Sequence, residues 1–181
     1  MSKKEVIVGV TASVACYKAL DAISGLRKLG INVTVVLTKE AEEFIKPILF
    51  QSVSGNKVIT HDMFTAPEEW DVAHISLAEK ADCIAVIPAT ANIIGKIANG
   101  ICDDLLTCLV CATKAPILLA PAMNENMYNN KIVQENITKL KKLGLNFTGP
   151  VKGMLACGKE GMGHIQDPQN IIKEVKSLLG L

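Results

Sequence analysis

The chain has 181 residues, of which 49% are hydrophobic and only 4% are aromatic, and its formal net charge is +1. This length suits one continuous core, so we expect a single domain over residues 1–181. The balanced charge lacks the basic surface that nucleic acid requires, which excludes a nucleic-acid partner. The apolar stretch at the start is too short for a secretory leader or a membrane span.

Strand and helix patterns alternate along the chain. Four short apolar runs predict strands buried on both faces, at residues 5–10, 32–38, 82–89 and 116–122. Helical patterns lie between these strands and after the last of them. They cover residues 14–30, 39–50, 74–81, 91–100, 103–113, 130–144 and 168–179. The alternation predicts an open parallel sheet that is wound in the right-handed sense.

Residues 149–167 interrupt this pattern. The segment holds five glycines and one cysteine and shows no periodicity, so we expect no regular element within it. Long glycine-rich loops of this kind often close over a site, and we expect a flap here.

The six cysteines lack the paired spacing of a disulfide framework, which favours a reducing, cytoplasmic compartment. Cys108 and Cys111 form one CxxC motif inside an apolar run, where helical spacing predicts that both fill the core. Without a second pair or a nearby histidine, we expect no metal site.

Ligands of open parallel sheets bind beyond the carboxyl ends of the strands. After the first strand, Thr11 and Ser13 precede a helix and suit a phosphate, although Ser13 is equally well interpreted as an ordinary helix cap. The chain has neither GxGxxG nor a P-loop there, and the second strand ends in Thr38 rather than an acid. These features favour a mononucleotide over NAD or ATP.

The turns after the next two strands are polar. The sequence PATAN at 88–92 predicts either a helix start capped by Thr90 or a shelf for a flat ring. In PAMNENMY at 121–128, Asn124 by itself is more typical of a structural cap than of a catalytic residue. A lone histidine such as His74 also usually has a structural role. Cys157, by contrast, is the single cysteine of the glycine-rich segment, and this position favours a functional role for its thiol.

Four motifs in order carry a resemblance: HIS at 74–76, PATAN at 88–92, PAMNENMY at 121–128 and LACGKEGMG at 155–163. Together with GVTASVACYKA at 9–19, they resemble the homo-oligomeric flavin-containing cysteine decarboxylases, and among them the phosphopantothenoylcysteine decarboxylases. Two positions depart from the family pattern, because Tyr128 stands where tryptophan is usual and His164 where arginine is common. These departures concern substrate contacts and leave the reaction class unchanged.

The resemblance implies a Rossmann-like, flavodoxin-type fold with three α/β/α layers, FMN bound at a subunit boundary, and assembly as a trimer or dodecamer. It implies that 4′-phospho-N-pantothenoylcysteine is converted to 4′-phosphopantetheine in coenzyme A biosynthesis, with a separate phosphopantothenoylcysteine synthetase upstream. By motif, His74 is the expected base, Asn124 the substrate-binding catalytic residue and Cys157 the acid. The expected cofactor contacts are Gly9, Thr11, Ser13, Thr38, Phe44, Pro88, Ala89, Thr90, Asn92, Ala122 and Met123, and the further substrate contacts are Met127 and Ala156.

The expected reaction needs an electron sink, because loss of carbon dioxide would otherwise strand electrons on Cα. Oxidation of the substrate's thiol-bearing carbon by flavin creates a thioaldehyde that accepts those electrons. Two alternatives stay open, a peptidyl-cysteine decarboxylase of the lantibiotic type and a non-catalytic flavin-binding interaction protein. The cysteine-bearing segment argues against the first, and the joint presence of His74, Asn124 and Cys157 argues against the second.

Overall fold

The computed structural model describes residues 3–60, 73–156 and 158–181, and a five-stranded parallel sheet forms its centre. The strands are β1 (Glu5–Val10), β2 (Asn32–Leu37), β3 (Cys83–Ala89), β4 (Ile117–Pro121) and β5 (Asn146–Phe147). Their order in the sheet is β2-β1-β3-β4-β5, which is the flavodoxin-like order with its switch point between β1 and β3. The four predicted strands are confirmed, and β5 is an addition too short to recognise in the sequence.

Helices cover both faces of the sheet and complete three layers. They are α1 (Tyr17–Lys28), α2 (Pro47–Ser54), α3 (Ala73–Lys80), α4 (Ala91–Ala98), α5 (Leu105–Ala112), α6 (Glu125–Tyr128), α7 (Lys131–Lys142) and α8 (Pro168–Leu178). Apolar side chains of α1, α2 and α8 pack in one buried cluster, and those of α3, α4, α5 and α7 pack in another. No helix in the described part of the chain has the length and apolar character that crossing a bilayer requires.

The sheet is apolar because its central strands have no solvent face. Every residue of β3 is buried, and Ile84 and Ala85 belong to opposite clusters, as alternation along a strand requires. Helix starts are set by polar caps. Asp104, for example, accepts the Thr107 backbone N–H at 2.8 Å, and the Thr107 side chain reaches back to the Asp104 backbone N–H.

The expectation that residues 149–167 hold no regular element is wrong. Strands β6 (Val151–Met154) and β7 (Glu160–His164) form an antiparallel hairpin, separate from the central sheet. The sequence concealed it because glycines at 153, 161 and 163 replace the apolar side chains that normally mark a strand.

Two local predictions also need correction. The helix expected over 39–50 is a 3-10 helical turn, Lys39–Glu43, followed by α2, because Pro47 begins the second helix at its first turn. The CxxC cysteines do not fill the core, since Cys108 is half-buried and Cys111 is exposed. The buried face of α5 is formed by its leucines and Val110 together with Thr107.

Candidate active site

Two strand ends at the carboxyl edge are joined by hydroxyl groups. The Thr11 hydroxyl, just after β1, donates to the Pro88 carbonyl in β3 at 2.8 Å and lies 3.5 Å from the Thr90 hydroxyl. Thr90 caps α4 by accepting the Ile93 backbone N–H at 3.3 Å. Ser13 likewise accepts the Ala15 backbone N–H at 3.2 Å, at the start of the 3-10 helical turn Val14–Cys16. The capping interpretation is thus confirmed for both residues. Each hydroxyl group can still donate one hydrogen bond while its oxygen accepts the capping bond.

A first cavity, called here the inner cavity, opens above these hydroxyls. It measures about 420 Å³, within the range of roughly 300–1,000 Å³ that is usual for small-molecule sites. Small side chains and hydroxyls form much of its wall, and Lys96, Glu40 and Asp104 lie on its charged side. Its lining residues are Thr11, Ala12, Ser13, Thr38, Glu40, Thr90, Ala91, Asn92, Ile93, Lys96, Asp104, Ala122, Met123 and Met127.

A second cavity, called the outer cavity, adjoins the first and shares Ser13, Ala122 and Met123 with it. It measures about 410 Å³, and the β6–β7 hairpin supplies one wall. Its remaining residues are Val14, Ala15, Tyr17, Asn124, Met154, Leu155, Ala156, Gly163, His164 and Ile165. Two compartments that meet at the end of β4 can hold a cofactor beside a substrate.

Asn124 caps the start of α6, and one of the two polar groups of its side-chain amide is already hydrogen-bonded. Its Oδ1 accepts the Asn126 backbone N–H at 2.8 Å, which fixes the side-chain orientation and leaves the amide NH₂ group to donate. Because Asn124 lines the outer cavity, that group can bind a carboxylate or carbonyl oxygen there.

The charged side of the inner cavity is an ion-pair network. Lys96 Nζ lies 2.8 Å from Asp103 and 3.1 Å from Asp104. The hydrogen bond to Asp103, together with Asp104, raises the pKa of Lys96 although partial burial opposes this change. The same bond lowers the pKa of Asp103. This network ties α4 to the start of α5 and keeps the lysine protonated.

Two cysteines of α5, Cys108 and Cys111, have poorly ionised thiols. Partial desolvation of its sulfur raises the pKa of Cys111 to about 11, with further increases from Cys102 and Cys108. Burial also raises the pKa of Cys108. A high pKa disfavours the thiolate that would bind a metal or attack a disulfide. Among the described residues, no three cysteine, histidine or acidic side chains are placed to hold a metal ion.

The structure brings most of the expected site residues together. Eight line the inner cavity, namely Thr11, Ser13, Thr38, Thr90, Asn92, Ala122, Met123 and Met127, and Asn124 and Ala156 line the outer one. Pro88 and Ala89 do not line the cavities themselves but hold residues that do. The Pro88 carbonyl accepts the Thr11 hydroxyl, and the Ala89 carbonyl accepts the Ala122 backbone N–H.

Three expected residues stand apart from both cavities, and a fourth is undescribed. Gly9 packs against Leu106, and Phe44, at the end of the 3-10 turn, is 52% exposed. His74, half-buried in the first turn of α3, is not among the residues that line either cavity. Cys157 lies outside the described residues, between Ala156 and Gly158.

Several residues of the cavity walls were not among the expected site residues. Tyr17 and His164 line the outer cavity and Lys96 and Glu40 the inner one. Tyr17 and Lys96 occupy ordinary helical positions, so the sequence carried no signal for them. His164 had a signal, because it departs from the pattern of the family that the chain resembles.

Comparison with known proteins gives a consistent picture. The family model described as "Flavoprotein" matches residues 1–180. The coenzyme A biosynthesis bifunctional protein CoaBC of Bacillus subtilis is 43% identical over 96% of this chain, which spans only 42% of that relative. A probable phosphopantothenoylcysteine decarboxylase of Streptococcus mutans is 38% identical, and the match covers 97% of this chain and 99% of the relative.

Solved structures agree in fold. A cysteine-to-serine variant of a PPC decarboxylase, in complex with pantothenoylaminoethenethiol, superposes with a TM-score of 0.88 at 30% identity, covering 99% of this chain and 100% of the other. The FMN-dependent cysteine decarboxylase SpaF superposes with a TM-score of 0.85 at 28% identity, covering 98% of each chain. The doubly wound fold deduced from the strand order is therefore shared across these enzymes.

Proposed function

Because the chain belongs to the Flavoprotein family, we propose that it is an FMN-dependent decarboxylase converting 4′-phospho-N-pantothenoylcysteine to 4′-phosphopantetheine in coenzyme A biosynthesis. The observation that carries this proposal is the pair of adjoining cavities at the carboxyl edge of the sheet, with Asn124 in the outer one. The likeness to named phosphopantothenoylcysteine decarboxylases supports it. Residues 1–181 act as one decarboxylase unit, in which residues 149–167 form the flap.

The residues of the inner cavity fit FMN. Ala12, Ala91 and Ala122 allow a flat ring to approach the backbone closely, and the hydroxyls of Ser13 and Thr90 can donate to a phosphate or a ring carbonyl. Thr11 uses its hydroxyl hydrogen on Pro88, so its oxygen serves as an acceptor. Bound FMN would accept two electrons from the thiol-bearing carbon and return them after carbon dioxide has left.

Asn124 positions the substrate in the outer cavity. Its amide NH₂ group donates to the carboxylate or to the neighbouring amide carbonyl, while the Asn126 backbone N–H keeps Oδ1 turned away. A donor held in place before the substrate arrives costs no reorganisation during the reaction. Met127 and Ala156 contact the same substrate, from the inner and outer cavity walls respectively.

Two proton transfers complete the assignment. His74 takes the proton of the substrate thiol, whose reference pKa of about 8.5 leaves it mostly protonated at neutral pH. Cys157 then returns a proton to the enethiolate carbon from the flap. Since His74 stands apart from the cavities of its own chain, it acts on a neighbouring subunit's substrate. The active unit is accordingly a homo-oligomer, which we expect to be a trimer or a dodecamer. The expected compartment is the cytoplasm.

A direct test uses Asn124→Ala with Asn126→Ala as the matched control in the same short helix. Purified wild-type protein should show a flavin absorption spectrum and release carbon dioxide from 4′-phospho-N-pantothenoylcysteine. Asn124→Ala should keep FMN and lose about 100-fold in kcat, as expected for removal of one preorganised donor. Asn126→Ala should retain most of the activity, because only its backbone N–H holds Asn124. A protein that cannot bind FMN would contradict the proposal.

A peptidyl-cysteine decarboxylase is the second candidate, and the observation that favours it is the superposition with the peptidyl-cysteine decarboxylase EpiD, with a TM-score of 0.81 at 25% identity. The two substrates differ at the amide side, where one has a phosphopantothenoyl group and the other a peptide chain. A competition assay separates them. Preferential release of carbon dioxide from a peptide ending in cysteine would replace the first assignment with this one.

A further inference from the structure

The outer edge of strand β7 is paired with the α6 region rather than with another strand. The Met123 backbone N–H donates to the Gly163 carbonyl at 3.0 Å. The Met162 backbone N–H donates to the Glu125 side-chain Oε1 at 3.1 Å. An exposed strand edge presents such groups to any partner, and here one backbone group and one carboxylate satisfy them. The Glu125 carboxylate therefore substitutes for the carbonyl of an adjacent strand.

Two glycines make this docking possible. A Cβ at Gly161 would lie 2.7 Å from Glu125 Oε2, and one at Gly163 would lie 2.1 Å from the Met123 carbonyl oxygen. Gly163 also has φ of +128°, a conformation that L side chains rarely adopt. Gly163 is the extra residue at an irregularity of β7, and the Cβ positions of both glycines point toward the segment 123–125. This side of the hairpin is shaped to receive the segment that carries Asn124 and Glu125.

The docked hairpin is the wall of the outer cavity. Met154, on β6, and the segment 163–165, at and just after the end of β7, line this cavity together with Asn124. The distance between this wall and Asn124 thus depends on contacts at residues 123–125. Glu125 itself is half-buried and is not among the residues that line the cavity.

We propose that Glu125 is a positioning residue, whose carboxylate seats the β6–β7 hairpin against α6 and thereby sets the shape of the substrate cavity. This role rests on the proposed function for its kinetic consequence, but the docking contact can be tested without turnover. A hydrogen bond to an ionised acceptor is about twice as strong as one between neutral groups, which suits a single side chain to this task. Glu125 acts through the hairpin and does not touch the reacting atoms.

The test compares Glu125→Ala with Glu160→Ala in the FMN-loaded protein. Glu160 is a matched control, because it lies on β7 and, among the residues that the structure describes, its side chain makes only an exposed ion pair with Lys152 at 3.8 Å. Hydrogen exchange at the Met162 amide should become about tenfold faster in Glu125→Ala, from the loss of one hydrogen bond. It should stay within about twofold of wild type in Glu160→Ala.

The kinetic readout should follow the same pattern. Glu125→Ala should raise KM for phosphopantothenoylcysteine about tenfold and change kcat by less than about threefold, the pattern of lost ground-state binding. Glu125→Gln retains an acceptor oxygen at the same reach, so it should recover most of the wild-type KM. A general loss of structure would instead lower kcat and FMN content in every variant alike.

A second variant approaches the contact from the hairpin. Gly161→Ala places a methyl group where the Glu125 carboxylate lies, so it should raise KM on its own. The combination with Glu125→Ala should be no worse than either single variant, because both remove one contact. Unchanged Met162 exchange in Glu125→Ala would overturn the positioning role even in an active enzyme. Faster exchange in a protein inactive toward this substrate would uphold the docking contact and refute the proposed substrate.

Discussion

The residues at the carboxyl edge of the sheet show why residue type alone does not reveal whether a side chain has a structural or a functional role. Thr11 and Thr90 were expected at a cofactor, and both line the inner cavity, yet each also holds the backbone of a neighbouring element. The same oxygen atoms therefore make structural hydrogen bonds and lie on the cavity wall, while their contact with a cofactor stays a prediction. A sequence position reveals the hydroxyl group but not how many partners it has.

Gly9 illustrates the opposite case, in which packing accounts for a residue that the family pattern places at the flavin. A Cβ at Gly9 would lie 2.4 Å from Leu106 Cδ1 and 2.8 Å from Cδ2. Leu106 is itself 1% exposed, so its side chain has little room to move. The small residue in β1 is required by the helix above it.

Substitution of Gly9 by alanine should consequently lower stability rather than cofactor affinity. We expect Gly9→Ala to reduce the free energy of unfolding by about 1–3 kcal/mol, as overpacking of a core does, and to change the FMN dissociation constant less than about twofold. Urea unfolding and flavin fluorescence titration measure the two quantities. Gly95→Ala is the matched control, because its methyl group would meet only Asn136 Nδ2 at 3.8 Å. A large loss of FMN affinity at unchanged stability would return Gly9 to the cofactor site.

Glu125 marks the limit of sequence reasoning at this scale. Its partner Met162 is 37 positions away, and nothing in the surrounding PAMNENMY distinguishes its side chain from that of a solvent-exposed glutamate. The alternating glycines 161 and 163 did carry a signal of close approach, but the approaching segment was unknown. A hydrogen bond between segments so far apart in the sequence depends on the folded chain, and the local spacing of residues does not predict it.

Among the secondary-structure elements, those with strong periodicity were predictable and those without it were not. Strands buried on both faces and helices with one apolar stripe left a clear pattern, as in β3 and α1. The β6–β7 hairpin left none, because three glycines occupy strand positions. Its contacts with residues 123–125 are visible only in the tertiary structure.

Asp82 joins the beginnings of two adjacent strands and makes their association pH-dependent. Its carboxylate accepts the Glu5 backbone N–H at 2.8 Å and pairs with Lys4 Nζ at 2.9 Å. The first of these bonds, helped by Lys4, lowers the pKa of Asp82. A depressed pKa means that the stabilisation is complete above the unfolded value of about 3.9 and disappears as the pH falls through the lower folded value.

We therefore expect Asp82→Asn to be less stable than wild type near neutral pH, by less than about 1 kcal/mol because the pair is partly exposed. The two proteins should converge once the pH falls below the folded pKa, since both then carry a neutral side chain. Urea unfolding over a pH series measures this difference, and added salt should shrink the contribution of Lys4. A difference that is constant across the series would contradict the linkage.

At the scale of the whole molecule, the strand order places both cavities at one edge of the sheet. The sequence predicted a parallel sheet, whereas the order β2-β1-β3-β4-β5 followed only from the resemblance. Apolar side chains surround the opening, with Val14 at 61% and Met154 at 66% exposed. Exposed apolar groups around a site fit an edge that a second copy of the chain covers.

The position of His74 gives the strongest reason to expect such a second copy. Helix α3 packs across α5, and its residues Ile75 and Glu79 line a different cavity, together with Lys114 and Ala115 near the amino end of β4. His74 itself lines neither of the cavities described above, whereas Asn124 lines the outer one. If His74 is the base, we expect an active site that combines residues of two subunits.

Subunit complementation tests this arrangement. His74→Asn and Asn124→Ala should each retain about 1% of the wild-type activity or less on their own, but mixed oligomers from equal co-expression should recover roughly a quarter of it. That fraction follows because a shared site is intact only when one neighbour supplies the histidine and the other supplies the asparagine, each with even odds. Oligomers of His74→Asn with wild type, as the control, should retain about half. Mixed oligomers without recovered activity would mean that no site draws His74 and Asn124 from different subunits.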